Sequence, residues 1–169
     1  EIAIDPETLG KVFENLIDEN IRRGDGVFYT PREVVEYMCQ SAISVYLKNN
    51  CQISLTYLES KKIINEICLK EINIANDLNE LNANTKKFII ENAKHLDELF
   101  SKVKICDPAI GSGAFAVTMM NLIVKIRKVI NFSNSNKSYN YDYKLKLNFI
   151  RNSIYGVDID RSAVDVAKL

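Results

Sequence analysis

The stretch that decides the fold is VKICDPAIGSGAFAVTMMNLIVKIRKVI, residues 103–130. Its first residues form a short apolar run with β-branched side chains, which predicts a buried strand ending at Asp107. The strongly apolar run from Ala114 predicts a long helix. The glycines between them allow a ligand to approach the backbone closely, and a helix N-terminus offers free N–H groups. This order therefore indicates a ligand site at the turn.

The spacing of the turn narrows the ligand class only in part. Gly111, Gly113 and Ala116 match G-x-G-x-x-A, a pattern compatible with a dinucleotide, a nucleoside or simple packing. Asp107 and Pro108 precede the turn, and a carboxylate there suits a ligand with an ammonium group better than a pyrophosphate. A P-loop is excluded because no Gly-Lys-Ser or Gly-Lys-Thr follows.

A second strand is predicted in SIYGVDID, residues 153–160, followed by a helix in RSAVDVAKL. The βαβα order favours a parallel sheet with its ligand at the carboxyl ends of the strands. Asp158 is placed to accept hydrogen bonds from both ribose hydroxyls of an adenosine moiety, and Ile159 can cover one face of the adenine. Asp160 directly precedes the helix and is expected to be its N-cap. Residues 131–143 have loop composition.

The first hundred residues are predicted to be helical. Residues 5–20 have an apolar stripe at helical spacing, and TPRE predicts a second helix with a capping box of Thr30 and Glu33. The expected buried stripe of this helix is Val34, Met38, Ala42 and Val45. Residues from about 51 to 100 predict two or three helices that form an insertion with a solvated, charged face. Glu59 and Lys61 form an E-x-K pair, but no positioned Pro-Asp precedes it, so a nuclease site is not expected.

Composition limits the function classes. Basic and acidic residues both number 22, so the broad basic surface of a self-sufficient nucleic-acid binder is missing, and DNA is neither indicated nor excluded. The four cysteines form no C-x-x-C pair and the single histidine stands alone, which predicts reduced thiols and no metal site. Because no signal peptide or membrane span is evident, a cytoplasmic protein is expected. The first residue is Glu1, and the chain is expected to be part of a longer protein.

Three strings taken in order carry a family resemblance: GVFYTP (26–31), DPAIGSGAF (107–115) and IYGVDIDRSAVDVAKL (154–169). They resemble motifs X, I and II of the N6-adenine DNA methyltransferases, and the third is most similar to single-chain type IIG restriction-modification enzymes. Methylation subunits of type I systems share FYTPREVV but usually carry a GGF-like turn. The match covers residues 9–47 and 103–169. It implies an α/β, Rossmann-like, S-adenosylmethionine-dependent methyltransferase fold, incomplete, with a helical part at 1–100 and the first βαβα portion at 101–169.

The resemblance also implies a cofactor site for S-adenosyl-L-methionine. Thr30, beside Tyr29 and Pro31, would contact the methionine carboxylate end. Asp158 would hold the ribose, with Ile159 against the adenine. The methionine portion would be lined by residues of the turn, which with its flanks comprises Asp107, Pro108, Ala109, Gly111, Gly113 and Phe115.

In this family the target adenine is flipped out of double-stranded DNA and held by an Asn-Pro-Pro-Tyr type loop. The only prolines here are Pro6, Pro31 and Pro108, so the resemblance implies no catalytic residue in this chain. The catalytic loop and the DNA-contacting segments are expected beyond Leu169, and this chain alone is expected to be inactive. Two other readings stay open: a non-catalytic interaction module, and a nicotinamide-dependent dehydrogenase. For the dehydrogenase, the acidic residue should lie about 20 residues beyond the glycines, and Asp158 is much further away.

Overall fold

The computed structural model describes Val12 and residues 30–69, 78, 80–131 and 141–168. The predicted helix at 5–20 and the site residue Tyr29 lie outside the described residues, apart from Val12. The elements in chain order are α1 (Arg32–Asn50), α2 (Tyr57–Leu69), α3 (Ala83–Ser101), β1 (Ile105–Asp107), α4 (Ala114–Ile130), α5 (Tyr141–Ser153), β2 (Ile154–Gly156) and α6 (Arg161–Ala167).

Helix α1 begins without the predicted capping box. Pro31 is the N-cap residue, with φ −54° and ψ 143°, and no side chain caps the helix. Its carbonyl oxygen accepts from Val34 N at 3.0 Å and Val35 N at 3.1 Å. Because Pro31 takes the N-cap position, Thr30 lies one residue too early for its hydroxyl to reach the free N–H groups, and the prediction was wrong.

The buried face of α1 is also not the predicted one. Val34, Met38, Ala42 and Val45 are exposed, whereas the buried residues are Val35, Cys39, Ile43, Ser44 and Leu47. The helix carries apolar residues on two faces, so its own pattern does not say which face packs. The face that packs is the one that meets α2 and α4.

Between residues 51 and 100 the described chain forms α2 and α3, in agreement with the predicted two or three helices. Helix α2 starts with a capping box that was not predicted: Thr56 N donates to Glu59 Oε2 at 2.8 Å and Glu59 N to Thr56 Oγ1 at 3.2 Å. Glu59 of the E-x-K pair is therefore a capping residue. At the start of α3, Asn82 accepts from Thr85 N at 2.9 Å.

The hydrophobic core is shared by the helices. Helix α4 is its central member and packs against α1, α2, α3 and α5. The predicted insertion therefore contributes to the main core as well as presenting a charged face. The predicted boundary at residue 100 between a helical part and a βαβα part stays a prediction. Among the fully buried side chains of this core are Leu47, Ile64, Ile67, Ile89, Phe100, Ile123, Ile126 and Val129.

The two strands pair in parallel, as predicted, with Ile105 opposite Ile154 and Asp107 opposite Gly156. The described order is β1, α4, α5, β2 and α6, so one helix more than the predicted βαβα order lies between the strands. This helix, α5, begins at Tyr141, inside the stretch predicted as loop. Its buried residues Leu145, Phe149 and Ser153 recur at every fourth position between polar residues, which is a helical pattern. The complete Rossmann-like class stays a prediction. In the described part of the chain, no helix has the length and apolar character needed to cross a membrane.

Candidate functional site

The glycine turn between β1 and α4 has the conformation that its sequence requires. Gly111 has φ +54° and Gly113 has φ +92°, which L side chains rarely adopt. A Cβ built on Gly113 would lie 3.4 Å from Ala167 Cβ of α6, whereas one on Gly111 would meet nothing within 4 Å. The turn therefore packs against α6 at Gly113 and has open space at Gly111.

Backbone hydrogen bonds join this turn to the end of β2. Val157 N donates to Asp107 O and Ile110 N donates to Val157 O, both at 2.9 Å. A Cβ on Gly156 would lie 2.2 Å from Ile110 Cδ1, so the absence of a side chain there lets the turn approach the strand. The predicted residues around Asp107 and Asp158 consequently lie together.

Asp107 has one carboxylate oxygen bound and one free. Its Oδ1 accepts from Ala109 N at 3.1 Å. Its Oδ2 is buried and has no hydrogen-bond partner among the described residues. A buried carboxylate oxygen without a donor is unfavourable, so this atom is suited to a positively charged donor from a ligand.

Asp158 lies two residues beyond the end of β2, and both of its carboxylate oxygens accept backbone N–H groups. Gly111 N donates to its Oδ2 at 2.7 Å and Asp160 N to its Oδ1 at 2.9 Å. Asp160 in turn accepts from Ser162 N at 2.8 Å, which confirms it as the N-cap of α6. Ile159 between them is 91% exposed and free to contact a ligand.

Helix α1 contacts the start of α4 through Cys39, a residue that the sequence interpretation did not place at the site. Its Sγ donates to Phe115 O at 3.9 Å. Burial, followed by the nearby carboxylates of Asp107 and Glu36, raises the pKa of this thiol to about 11. Cys39 is thus a protonated thiol that packs α1 against the first turn of α4. Its place in the stripe Val35, Cys39, Ile43 was the signal that could have found it.

The remaining predicted residues surround this group. Pro108 and Ala109 are exposed in the turn, Phe115 is half-buried in α4, Thr30 is half-buried and Pro31 exposed. Among the described residues, no hydrogen bond joins Thr30 or Pro31 to the glycine turn. The part of the chain that the structure describes also contains no cluster of three His, Cys, Asp or Glu suited to a metal.

The arrangement offers three kinds of recognition within one small region. The buried Asp107 oxygen suits an ammonium group, and the first N–H groups of α4 suit an anion. The Asp158 carboxylate suits a pair of hydroxyls, because it retains lone pairs after accepting two N–H groups. A ligand with an amino-acid end and a ribose fits this set.

Comparison with known proteins gives one informative relative. The chain is 36% identical over 177 residues to a predicted type II restriction enzyme and methyltransferase from Methanocaldococcus jannaschii. The alignment covers all of this chain but only 14% of that relative's length. No protein-family profile matches the chain. No solved structure matches it either.

Proposed function

We propose that this chain is the cofactor-binding part of a site-specific DNA methyltransferase of a restriction-modification system, which uses S-adenosyl-L-methionine to methylate adenine N6. Its βαβα portion would be the start of a Rossmann-like methyltransferase fold. The name of the relative supports the restriction-modification methyltransferase, and the three motifs support the cofactor and the adenine specificity.

The observation that carries the proposal is the buried Oδ2 of Asp107, which has no hydrogen-bond partner among the described residues and lies at the strand end that leads into the glycine turn. A carboxylate prepared for a cation at this point fits the ammonium group of a methionine moiety. A dinucleotide would instead present its pyrophosphate to the turn, and a second carboxylate next to Gly111 would repel it. This charge pattern favours an amino-acid-bearing nucleoside.

Different residues would bind the different parts of the cofactor. Asp107 would bind the ammonium group of the methionine portion. The carboxylate of the methionine portion would be bound by the N-terminus of α4 and by Thr30, with Tyr29 and Pro31. Asp158 would hold the ribose hydroxyls and Ile159 would cover the adenine, while the turn, with Ala109, Gly111 and Gly113, lets the backbone approach. When bound, the cofactor supplies the sulfonium methyl group. The chain has no adjacent prolines and so no Asn-Pro-Pro-Tyr loop, and by itself it should not methylate DNA.

Calorimetry on the full-length protein tests the cofactor site. S-adenosylmethionine should bind to the wild type, and Asp107→Ala and Asp158→Ala should each weaken it by about tenfold or more, because each removes charge-assisted hydrogen bonds. Asp160→Asn is the matched control, because asparagine caps a helix as well as aspartate does, and its affinity should not change. Unchanged affinity in both alanine variants would contradict the proposal.

The DNA substrate needs a separate experiment. Double-stranded DNA should become methylated when incubated with the full-length protein and S-adenosylmethionine, and nucleoside mass spectrometry of the digested DNA should detect N6-methyladenine. The control omits the cofactor. Methylation of cytosine alone would reject the adenine assignment while leaving the cofactor site intact.

A further inference from the structure

The side chain of Asp158 links two parts of the site that lie far apart in sequence. Its Oδ2 accepts from Gly111 N at 2.7 Å across 47 positions of the chain, and its Oδ1 accepts from Asp160 N at 2.9 Å. Gly111 belongs to the turn proposed for the methionine portion, and Asp158 is proposed for the ribose. One carboxylate therefore connects the two ends of the site.

The hydrogen bond to Asp158 is the anchor of Gly111 within the turn. Ile110 N and Gly113 N are fixed by backbone carbonyls, those of Val157 and Ile110, each at 2.9 Å. Gly111 N donates instead to a side chain, and a Cβ built on this left-handed residue would meet nothing within 4 Å. A charge-assisted bond of this kind is stronger than a neutral one.

We infer that Asp158 is a positioning residue for the glycine turn in addition to being a ligand for the ribose. A carboxylate has about four lone-pair sites, so two N–H groups leave two sites for a diol. The ribose part of this inference rests on the proposed function, whereas the hold on Gly111 does not. The shape of the turn should therefore depend on Asp158 even when the ligand has no ribose hydroxyls.

Replacing Asp158 with asparagine perturbs its contacts with the turn and with the ribose, and two probes can then separate these two roles. The amide keeps one acceptor oxygen and places an NH₂ group where the other oxygen stood, so one of the two backbone N–H groups loses its acceptor. Asp160→Asn makes the same change in charge two residues away and keeps its N-cap function. The two variants differ in contact with the turn and, under the proposed function, in contact with the ribose.

Calorimetry on the full-length protein would use S-adenosylhomocysteine and its 2′,3′-dideoxy analogue as probes. Asp158→Asn should lower the affinity for S-adenosylhomocysteine by about 100-fold and that for the dideoxy analogue by about tenfold. The analogue has no hydroxyls for Asp158 to bind, so its affinity falls only through the change in the turn. Asp160→Asn should match the wild type with both. An Asp158→Asn penalty that vanishes with the dideoxy analogue would overturn the inference.

Hydrogen exchange of the ligand-free full-length protein gives a second readout that needs no ligand. The peptide containing Gly111 should exchange about tenfold faster in Asp158→Ala, which removes both acceptor oxygens, than in the wild type or Asp160→Asn, while peptides from α3 stay unchanged. Equal exchange in all three proteins would overturn the inference. A wild type that binds neither nucleoside would contradict the proposed function, and the exchange result would still decide the role of Asp158 in the turn.

Discussion

At the residue scale, Cys39 shows how burial at the site controls chemical reactivity. Burial, followed by the nearby Asp107 and Glu36, raises the pKa of its thiol from 9.0 to about 11. Since the native state holds this proton more tightly than the unfolded chain, the associated stability is present below about pH 9 and is lost as pH rises toward 11. Cys106, by contrast, is exposed.

We expect iodoacetamide to alkylate Cys106 rapidly in the native protein at pH 8 and to leave Cys39 unmodified, because only an accessible thiolate reacts. Mass spectrometry of digests gives the modification of each cysteine. In urea both should react, which is the internal control. Alkylation of Cys39 at the rate of Cys106 in the native protein would mean that α1 does not pack on the turn as described.

The sequence was informative at this scale where backbone geometry demands one residue type. The place of Gly111 and Gly113 in the turn could be predicted because their positive φ angles favour glycine. The N-cap role of Asp160 could be predicted because short acceptor side chains cap helices. Cys39 could not be placed at the site, because its role depends on which face of α1 meets α4. Neither could the bond between Asp158 and Gly111, which joins the segments that follow two different strands.

At the element scale, the two helix starts in TPRE and TYLE have similar sequences but different structures. Thr56 and Glu59 form reciprocal hydrogen bonds at the start of α2. The bonds that Thr56 N and Thr56 Oγ1 donate to the Glu59 carboxylate lower its pKa. Thr30 makes no such cap, because Pro31 occupies the N-cap position of α1. The four-residue pattern alone does not distinguish them.

Thr56→Ala should therefore lower the free energy of unfolding by about 1 kcal/mol, the usual cost of losing a threonine cap. Thr30→Ala is the matched control and should change it by less than about 0.5 kcal/mol, as at ordinary surface positions. Urea denaturation of both variants measures the difference. Equal losses would show that Thr30 caps α1 in solution.

The existence of α1, α4, α6 and the two strands could be predicted because long apolar periodicity and turn residues are local signals. The packed face of α1 could not, since Val34 and Val35 start two apolar stripes and only the positions of α2 and α4 select one. Helix α5 was missed because lysines and asparagines surround its few buried residues, Leu145 and Phe149.

At the scale of the whole molecule, polar contacts reinforce the shared core between α3 and α4. Arg127 donates to Asp97 through Nε at 2.8 Å and Nη2 at 3.2 Å, and Asn131 Nδ2 donates to Asp97 Oδ1 at 2.7 Å. Tyr46 of α1 also donates to Leu99 O of α3 at 3.1 Å. The region predicted as an insertion is thus tied to the helix that carries the glycine turn.

Asp97→Ala should consequently destabilise the chain as one unit. The side chains of Arg127 and Asp97 are only 13% and 29% exposed, so the mutation leaves a largely buried cation without its partner, at a cost on the order of 2 kcal/mol. Glu91→Ala removes a pair whose side chains are 73% and 59% exposed, and should change stability by less than about 0.5 kcal/mol.

The double variant Asp97→Ala with Arg127→Met shows whether Asp97→Ala destabilises the chain by leaving Arg127 unpaired or by removing packing contacts. Because it removes the unpaired cation, it should be more stable than Asp97→Ala alone. Urea unfolding should follow one transition in each protein, since α2 and α3 share their core with α4. Two separate transitions would mean that residues 51–100 fold independently of α4. A loss in Asp97→Ala no larger than that in Glu91→Ala would mean that the pair of Asp97 and Arg127 does not stabilise the chain.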